Sequence, residues 1–207
     1  MSEPITAATP GLSKHRLEAL SDGVFAVVLT LLVLELKPEL PVHANNEEVA
    51  EALRQLARPL VGYALAYALT AVFWISHHRK FALLRHTNGL HSALTLAFLF
   101  AVTLLPLSVS IYLKSMGTSR GQSLYFGNFT LISLTLLASW LYARHAGLTD
   151  PAAPPRAIAA LTRRMIVSTS LGVIACATSW TGQTYVLALM IPLALWVRFR
   201  RSSPSPG

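Results

Sequence analysis

The 207-residue chain predicts an all-α, polytopic membrane protein of six spans with both termini on the cytoplasmic side. Three observations predict it. The composition is 53% hydrophobic and 13% charged, about half the charge share of a soluble domain, with a mean hydropathy of +0.51. Apolar runs that can cross about 30 Å of hydrocarbon, at roughly 1.5 Å per helical residue, recur along the chain. The basic residues fall between those runs, and unequally on the two sides.

Two function classes recede at once. A net charge of +8 suggests nucleic acid only until the basic residues are placed, since no aromatic–basic interleaving or nucleic-acid motif surrounds them. The single cysteine, Cys176, lies in an apolar stretch, which excludes an intrachain disulfide, a cysteine metal cluster and a C-x-x-C pair.

The first span, about 18–36, is unusual. Only 12 uncharged residues, Gly23–Leu34, separate Asp22 from Glu35, so a crossing helix must draw in Ser21 and Asp22 at one end and Glu35 and Leu36 at the other. The Lys14-His15-Arg16 cluster leads directly into it and no small-residue cleavage site follows Leu34, so it is not read as a removed signal. Residues 38–58 then form an outer loop carrying Glu39, Glu47, Glu48 and Glu51, with a short amphipathic stretch from Glu47 to Leu60.

The second span, 57–78, follows from the uncharged run Pro59–His78, and the third, 88–113, from His86–Leu113. Pro106 in the third frees a carbonyl four residues back and kinks the helix. The fourth is 121–143, and Asp150–Pro155 is a linker. Met165–Val197 is too long for one crossing: its 33 residues would reach about 50 Å. A Gly-centred polar break at Trp180-Thr181-Gly182-Gln183 divides it into a fifth span at 160–180 and a sixth at 183–199, the latter kinked at Pro192. Residues 1–13 and 201–207 are Ser/Pro/Gly-containing tails.

Six spans place twelve of the seventeen basic residues on the side of the termini, the 79–89 loop and the 144–164 loop, against five opposite. That side is the cytoplasm by the positive-inside rule. No half of the chain repeats the other, so any rotational symmetry requires several chains.

Candidate functional residues concentrate on the first span. An ionisable group at the hydrocarbon centre costs about 2.5–3.5 kcal/mol, so Asp22 should face the bundle with a partner. Arg16 and His77 are the candidates, and an interfacial salt bridge that anchors the helix is the plain alternative. Beyond Asp22, spacings of four and three align Val27, Leu31 and Leu34, with Gly23 below and Thr30 beside them. Such a stripe is ordinarily a packing face, with Thr30 bonding a carbonyl one turn back. Trp74, His77 and Phe81 share a stripe on the second span. His77, His86 and His91 suggest metal or haem, yet the latter two fall at a loop and a helix start, and no metal is expected. Val61-Gly62-Tyr63 sits inside a continuous span rather than a re-entrant loop, which discounts a carbonyl filter. No Ser-His-Asp set, paired carboxylates, P-loop or H-E-x-x-H appears, so no enzyme activity is expected.

Arg16-x-x-x-Leu20-Ser21-Asp22-Gly23-Val24-Phe25-Ala26, followed by Thr30-Leu31-Leu32, resembles the R-x-x-x-F-S-D-G-(V/I)-F-A signature of the TMEM175 family of potassium-selective cation channels. Trp74-x-x-His77-x-x-x-Phe81 and Asn88 with Leu105-Pro106 resemble its second and third helices. The likeness is close over helices one to three and holds only by hydropathy beyond them.

The resemblance implies a homotetramer in the bilayer with helix one from each subunit lining a central pore. It places the hydrophobic constriction on Val27, Leu31 and Leu34 and a pore-facing hydroxyl on Thr30. It assigns a signature network to Arg16, Ser21 and Asp22 with Trp74, His77 and Asn88, and Glu35 falls at the pore mouth. Two positions depart from the pattern: Leu20 replaces the signature Phe, and Val27 is smaller than the usual Ile or Leu. The function implied is a potassium-permeable leak channel with no cofactor, its permeant ion K⁺. A proton or nonselective monovalent-cation pathway is the alternative through the same pore. A haem-binding redox protein using His77 and His91, which would show a Soret band, is the rival of a different class.

Overall fold

The computed structural model describes residues 13–37, 40–115 and 118–180, and every regular element among them is helical. α1 runs Lys14–Leu31 and tightens into a 3-10 turn, Leu32–Glu35. α2 is Asn46–Ala82, α3 Gly89–Thr103, α4 Leu105–Lys114, α5 Ser119–His145 and α6 Pro155–Ser179. With the turn joined to α1 and α4 to α3, five helices are long and apolar enough to cross a membrane. The expected sixth span, the tails at 1–12 and 201–207, and Arg198, Arg200 and Arg201 lie outside the described residues.

α2 is longer than its apolar run. Its start is set by a capping box, in which Asn45 accepts from the Glu47 and Glu48 N–H groups while the Glu48 carboxylate accepts from the Asn45 N–H. The amphipathic stretch and the second span are thus one helix of 37 residues, about 55 Å long, that passes through Pro59 without ending. At its far end it continues past His78 to Ala82, which makes Lys80 a helix residue rather than a loop charge. Val61-Gly62-Tyr63 is continuous helix.

Span three is broken where Pro106 predicts it. α3 ends at Thr103 and α4 opens at Leu105 with Pro106 in its first turn, where a missing N–H is tolerated. α5 ends on Gly147, whose φ of +66° suits glycine, with the Leu148 N–H reaching back to the Ala143 carbonyl. The chain then forms an antiparallel bridge, Leu84 to Thr149, closed by Arg85 N–H to Leu148 O at 2.9 Å and Asp150 N–H to Leu83 O at 2.9 Å. Lys14 donates to the Leu84 carbonyl at 2.8 Å, so α1 starts at the same end of the bundle.

α5 is the central helix, packed on α6, α3 and α4. It approaches α6 closely at Gly172, where a Cβ would stand 3.0 Å from Thr130 Oγ1 and 3.3 Å from the Thr130 backbone. One apolar cluster gathers Phe25, Phe73, Phe98, Ile132 and Trp140 toward the Lys14 end. A second, at the other end, joins Leu32, Ala66, Val109, Tyr125, Phe126 and Ala175.

Candidate functional site

α1 is apolar on two faces, and only one is covered. Leu17, Ser21, Phe25, Val28 and Leu32 are buried at spacings of three and four. The expected stripe lies about a third of a turn round from that face and is bare: Val27 and Leu34 are each 56% exposed and Leu31 41%, with Gly23 and Thr30 also exposed. A packing face within one subunit would be covered by its own bundle; this one is not. Thr30 Oγ1 lies 2.8 Å from the Val27 carbonyl and 3.1 Å from that of Ala26. Its proton is therefore directed into its own helix, leaving oxygen lone pairs outward. Glu35, half-buried, closes the turn beside Leu34.

The signature residues divide into two contacts. Trp74 Nε1 donates to Asp22 Oδ1 at 2.8 Å. Ser21 donates its only proton to the Leu17 carbonyl at 2.7 Å and stands 2.9 Å from His77 Nε2. Assigning the His77 hydrogen to Nε2, which then donates to Ser21, leaves only a bare lone pair on the buried Nδ1, which has no partner among the described residues. The imidazole is wedged between aromatic rings, stacked at 5.0 Å on Phe98 and tilted at 4.7 Å against Phe81.

Of the partners expected for Asp22, the two read from the residues alone, Arg16 and His77, are corrected, while Trp74, which the resemblance had added to the network, is the one that meets it. Neither Arg16 nor His77 holds the carboxylate; Trp74 does. Six helical residues turn Arg16 about 240° from Asp22, and one residue turns Ser21 toward His77 in its place. Arg16 is exposed and has no ion pair among the described residues. Asn88 stands apart from the other signature residues: it caps α3 by accepting from the His91 N–H at 2.9 Å and donates to the Tyr142 hydroxyl at 2.9 Å.

Sequence reasoning missed Lys80. It is fully buried, donates to Ser139 Oγ at 2.8 Å and lies 4.8 Å above the Phe81 ring, with no carboxylate in ion-pair range among the described residues. A lysine at the end of an apolar run reads as a loop charge, and only the continuation of α2 to Ala82 reveals otherwise. His91, also fully buried, has no hydrogen-bond partner on either ring nitrogen among the described residues. Among those residues no three His, Cys, Asp or Glu side chains converge as metal ligands.

A family model described as endosomal/lysosomal potassium channel TMEM175 matches residues 16–106, the segment that holds α1, α2, α3 and their contacts. The crystal structure of a lysosomal potassium-selective channel TMEM175 homolog from Chamaesiphon minutus superposes with a TM-score of 0.75 at 27% identity, covering 92% of this chain and 98% of that one. Over residues 16–106 the chain is similar to the TMEM175 family. A potassium channel of Chamaesiphon minutus is 29% identical over 194 residues, 91% of this chain and 95% of its own length. A potassium channel of Streptomyces collinus is 26% identical, over 66% of this chain and 68% of its own. The human endosomal/lysosomal proton channel TMEM175 is 34% identical over 96 residues, 42% of this chain and 19% of that longer protein. These relatives and the structural neighbour are named as ion channels, and like them this chain carries several helices long and apolar enough to cross a membrane, five among the described residues.

Proposed function

We propose that the protein is a potassium-permeable leak channel, a homotetramer in which α1 of each subunit lines a central pore. The carrying observation is the bare stripe of Val27, Leu31 and Leu34 on a helix whose other apolar face, Leu17, Ser21, Phe25 and Val28, is packed into the bundle. Four copies around an axis would cover that stripe and stack it into apolar rings. A narrow apolar tube closes by dewetting, because an ion stripped of water finds nothing there to replace its shell. Thr30 would add the only side-chain oxygens at that level, so slight dilation would favour the more readily dehydrated monovalent cation. Glu35 at the mouth would raise the local cation concentration. Ser21, Asp22, Trp74 and His77 would hold α1 at the angle that keeps the stripe on the axis, with Asn88 fixing the start of α3 behind them and Arg16 left at the exposed cytoplasmic end of the helix.

The basic bias supports an orientation with both termini in the cytoplasm and Glu35 on the outer side. Purified protein in liposomes should pass K⁺ down its gradient, and Leu31→Asn or Leu34→Asn, which wet the rings, should raise flux or relax selectivity. Folded tetramers that pass no monovalent cation would sink the reading. Passage of protons through the same pore is the second reading, favoured by the proton-channel names of the vertebrate relatives. Replacing K⁺ by an impermeant cation separates the two, since only a proton current survives it.

A further inference from the structure

The break in span three is held open by a side chain from another helix. In an unbroken helix the Leu105 N–H would bond the Ala101 carbonyl. Here the amide of Asn128, from α5, stands between them: Nδ2 donates to Ala101 O at 3.0 Å, and Oδ1 accepts from Leu105 N at 3.2 Å. This is the amide orientation in which nitrogen meets carbonyl and oxygen meets N–H. The Ser108 hydroxyl, 3.1 Å from the same oxygen, can turn its proton to it or to the Leu105 carbonyl. Pro106 contributes the other half of the break, because it has no N–H to offer the Val102 carbonyl, which takes the Leu104 N–H instead.

What the break positions is α4. That helix packs against the 3-10 turn Leu32–Glu35, and its Val109 shares a buried cluster with Leu32, on the back of the turn whose front carries Leu34. A change in the angle at residues 103–105 therefore displaces the support of the outer constriction, while Ser21, Asp22, Trp74 and His77 at the other end of α1 are untouched.

We propose that Asn128 is a positioning residue for ion permeation: by bridging Ala101 and Leu105 it sets the angle of α4, and α4 sets the width of the ring formed by Leu34. The inference rests on the pore reading of α1. Removing the amide lets Leu105 and Ala101 pair directly, since unpaired backbone groups are not tolerated within the hydrocarbon region. α4 then swings toward the axis of α3 and carries the turn with it.

The test uses the full-length protein in planar bilayers, with reversal potentials measured under bi-ionic K⁺/Cs⁺ conditions and tetramer content measured by size exclusion. Asn128→Leu, close in size and unable to bridge, should shift the Cs⁺/K⁺ permeability ratio about threefold or more, equivalent to roughly 0.7 kcal/mol at the barrier. Ser108→Ala, which leaves the bridge intact, should keep the wild-type ratio. A merely structural role would lower current in proportion to the folded fraction and leave the ratio unmoved, which would overturn the proposal. If Asn128→Leu does not assemble, Asn128→Ser, too short to span Ala101 and Leu105, should shift the ratio in the same direction; a wild-type ratio there overturns the proposal equally. A wild-type protein that passes neither cation defeats the pore reading itself, a result distinct from both.

Discussion

Trp74 reaches 52 positions back along the chain to donate its indole N–H to Asp22 at 2.8 Å, and three residues further along α2 His77 meets the neighbouring Ser21 at 2.9 Å. Two consecutive residues of α1 are thus gripped by one turn of α2. Adjacent helical residues point about 100° apart, so the pair of contacts fixes the rotation of α1 as well as its distance. Rotation decides which stripe of an apolar helix is left bare.

Trp74→Phe keeps the ring and removes the N–H. The Asp22 carboxylate is exposed within the subunit, so the loss of stability should be modest, about 1 kcal/mol, read as a lowered melting temperature of the detergent-solubilised protein. Ser21→Ala should cost more, about 1–3 kcal/mol, because it strands the buried His77 N–H. A larger loss from Trp74→Phe than from Ser21→Ala would contradict this assignment.

Lys80 predicts an inversion. Its ammonium is fully buried with Ser139 as its hydrogen-bond acceptor, and a buried cation without a carboxylate is weak ground for stability. Lys80→Met, similar in length and apolar, should leave the melting temperature unchanged or raise it. Ser139→Ala should lower it by the equivalent of about 1–3 kcal/mol, since it leaves the charge without its acceptor. The same ordering should hold for expression level, measured by fluorescence of a fused reporter.

In the proposed pore Val27 forms the innermost ring, and the TMEM175 signature that α1 resembles implies a larger aliphatic side chain there. Val27→Leu should narrow the innermost ring and reduce single-channel conductance about tenfold, equivalent to about 1.4 kcal/mol at the constriction. Val27→Ala should raise it. Conductance insensitive to both would place the narrowest point elsewhere.

The orientation is open to direct labelling. In a Cys176→Ser background, Val42→Cys, 86% exposed between α1 and α2, should react with a membrane-impermeant maleimide on intact cells. Ala146→Cys, exposed at the opposite end, should react only after permeabilisation. The reverse pattern would invert the cytoplasmic side.

Much of the membrane architecture was legible because it follows from composition along the chain. A charge-poor run of sufficient length has few alternatives to a helix in hydrocarbon, where every backbone group must be bonded internally. Pro106 broke its helix where it stands because a missing N–H acts locally. The capping box at Asn45 and Glu48 was equally local, yet it was overlooked: the charged residues after it ended the apolar run and hid the continuity of α2.

The partners of individual polar groups were less legible. Asp22 was marked by its position in an apolar segment, and its need for a partner followed from desolvation alone. That Trp74 rather than Arg16 or His77 meets it depends on how α1 is rotated against α2, a quantity spread over many contacts between distant residues. Lys80 shows the same limit from the other side. Its surroundings are supplied by Ser139, 59 positions away, so a residue read as a loop charge is among the most deeply buried in the bundle.

The sequence by itself determined that the chain carries helices long and apolar enough for a membrane, that the third of them breaks at Pro106, and that the first carries both the odd carboxylate and an aliphatic stripe. These are one-dimensional facts, set by the hydrocarbon thickness and by the backbone chemistry of proline. Only the tertiary structure decided which of the two apolar faces of α1 the bundle covers and which it leaves bare. Either face could have packed inward as far as hydrophobicity goes; the hydrogen bonds of Ser21 and Asp22 to α2 orient the helix, and Leu31 and Leu34 are left facing out.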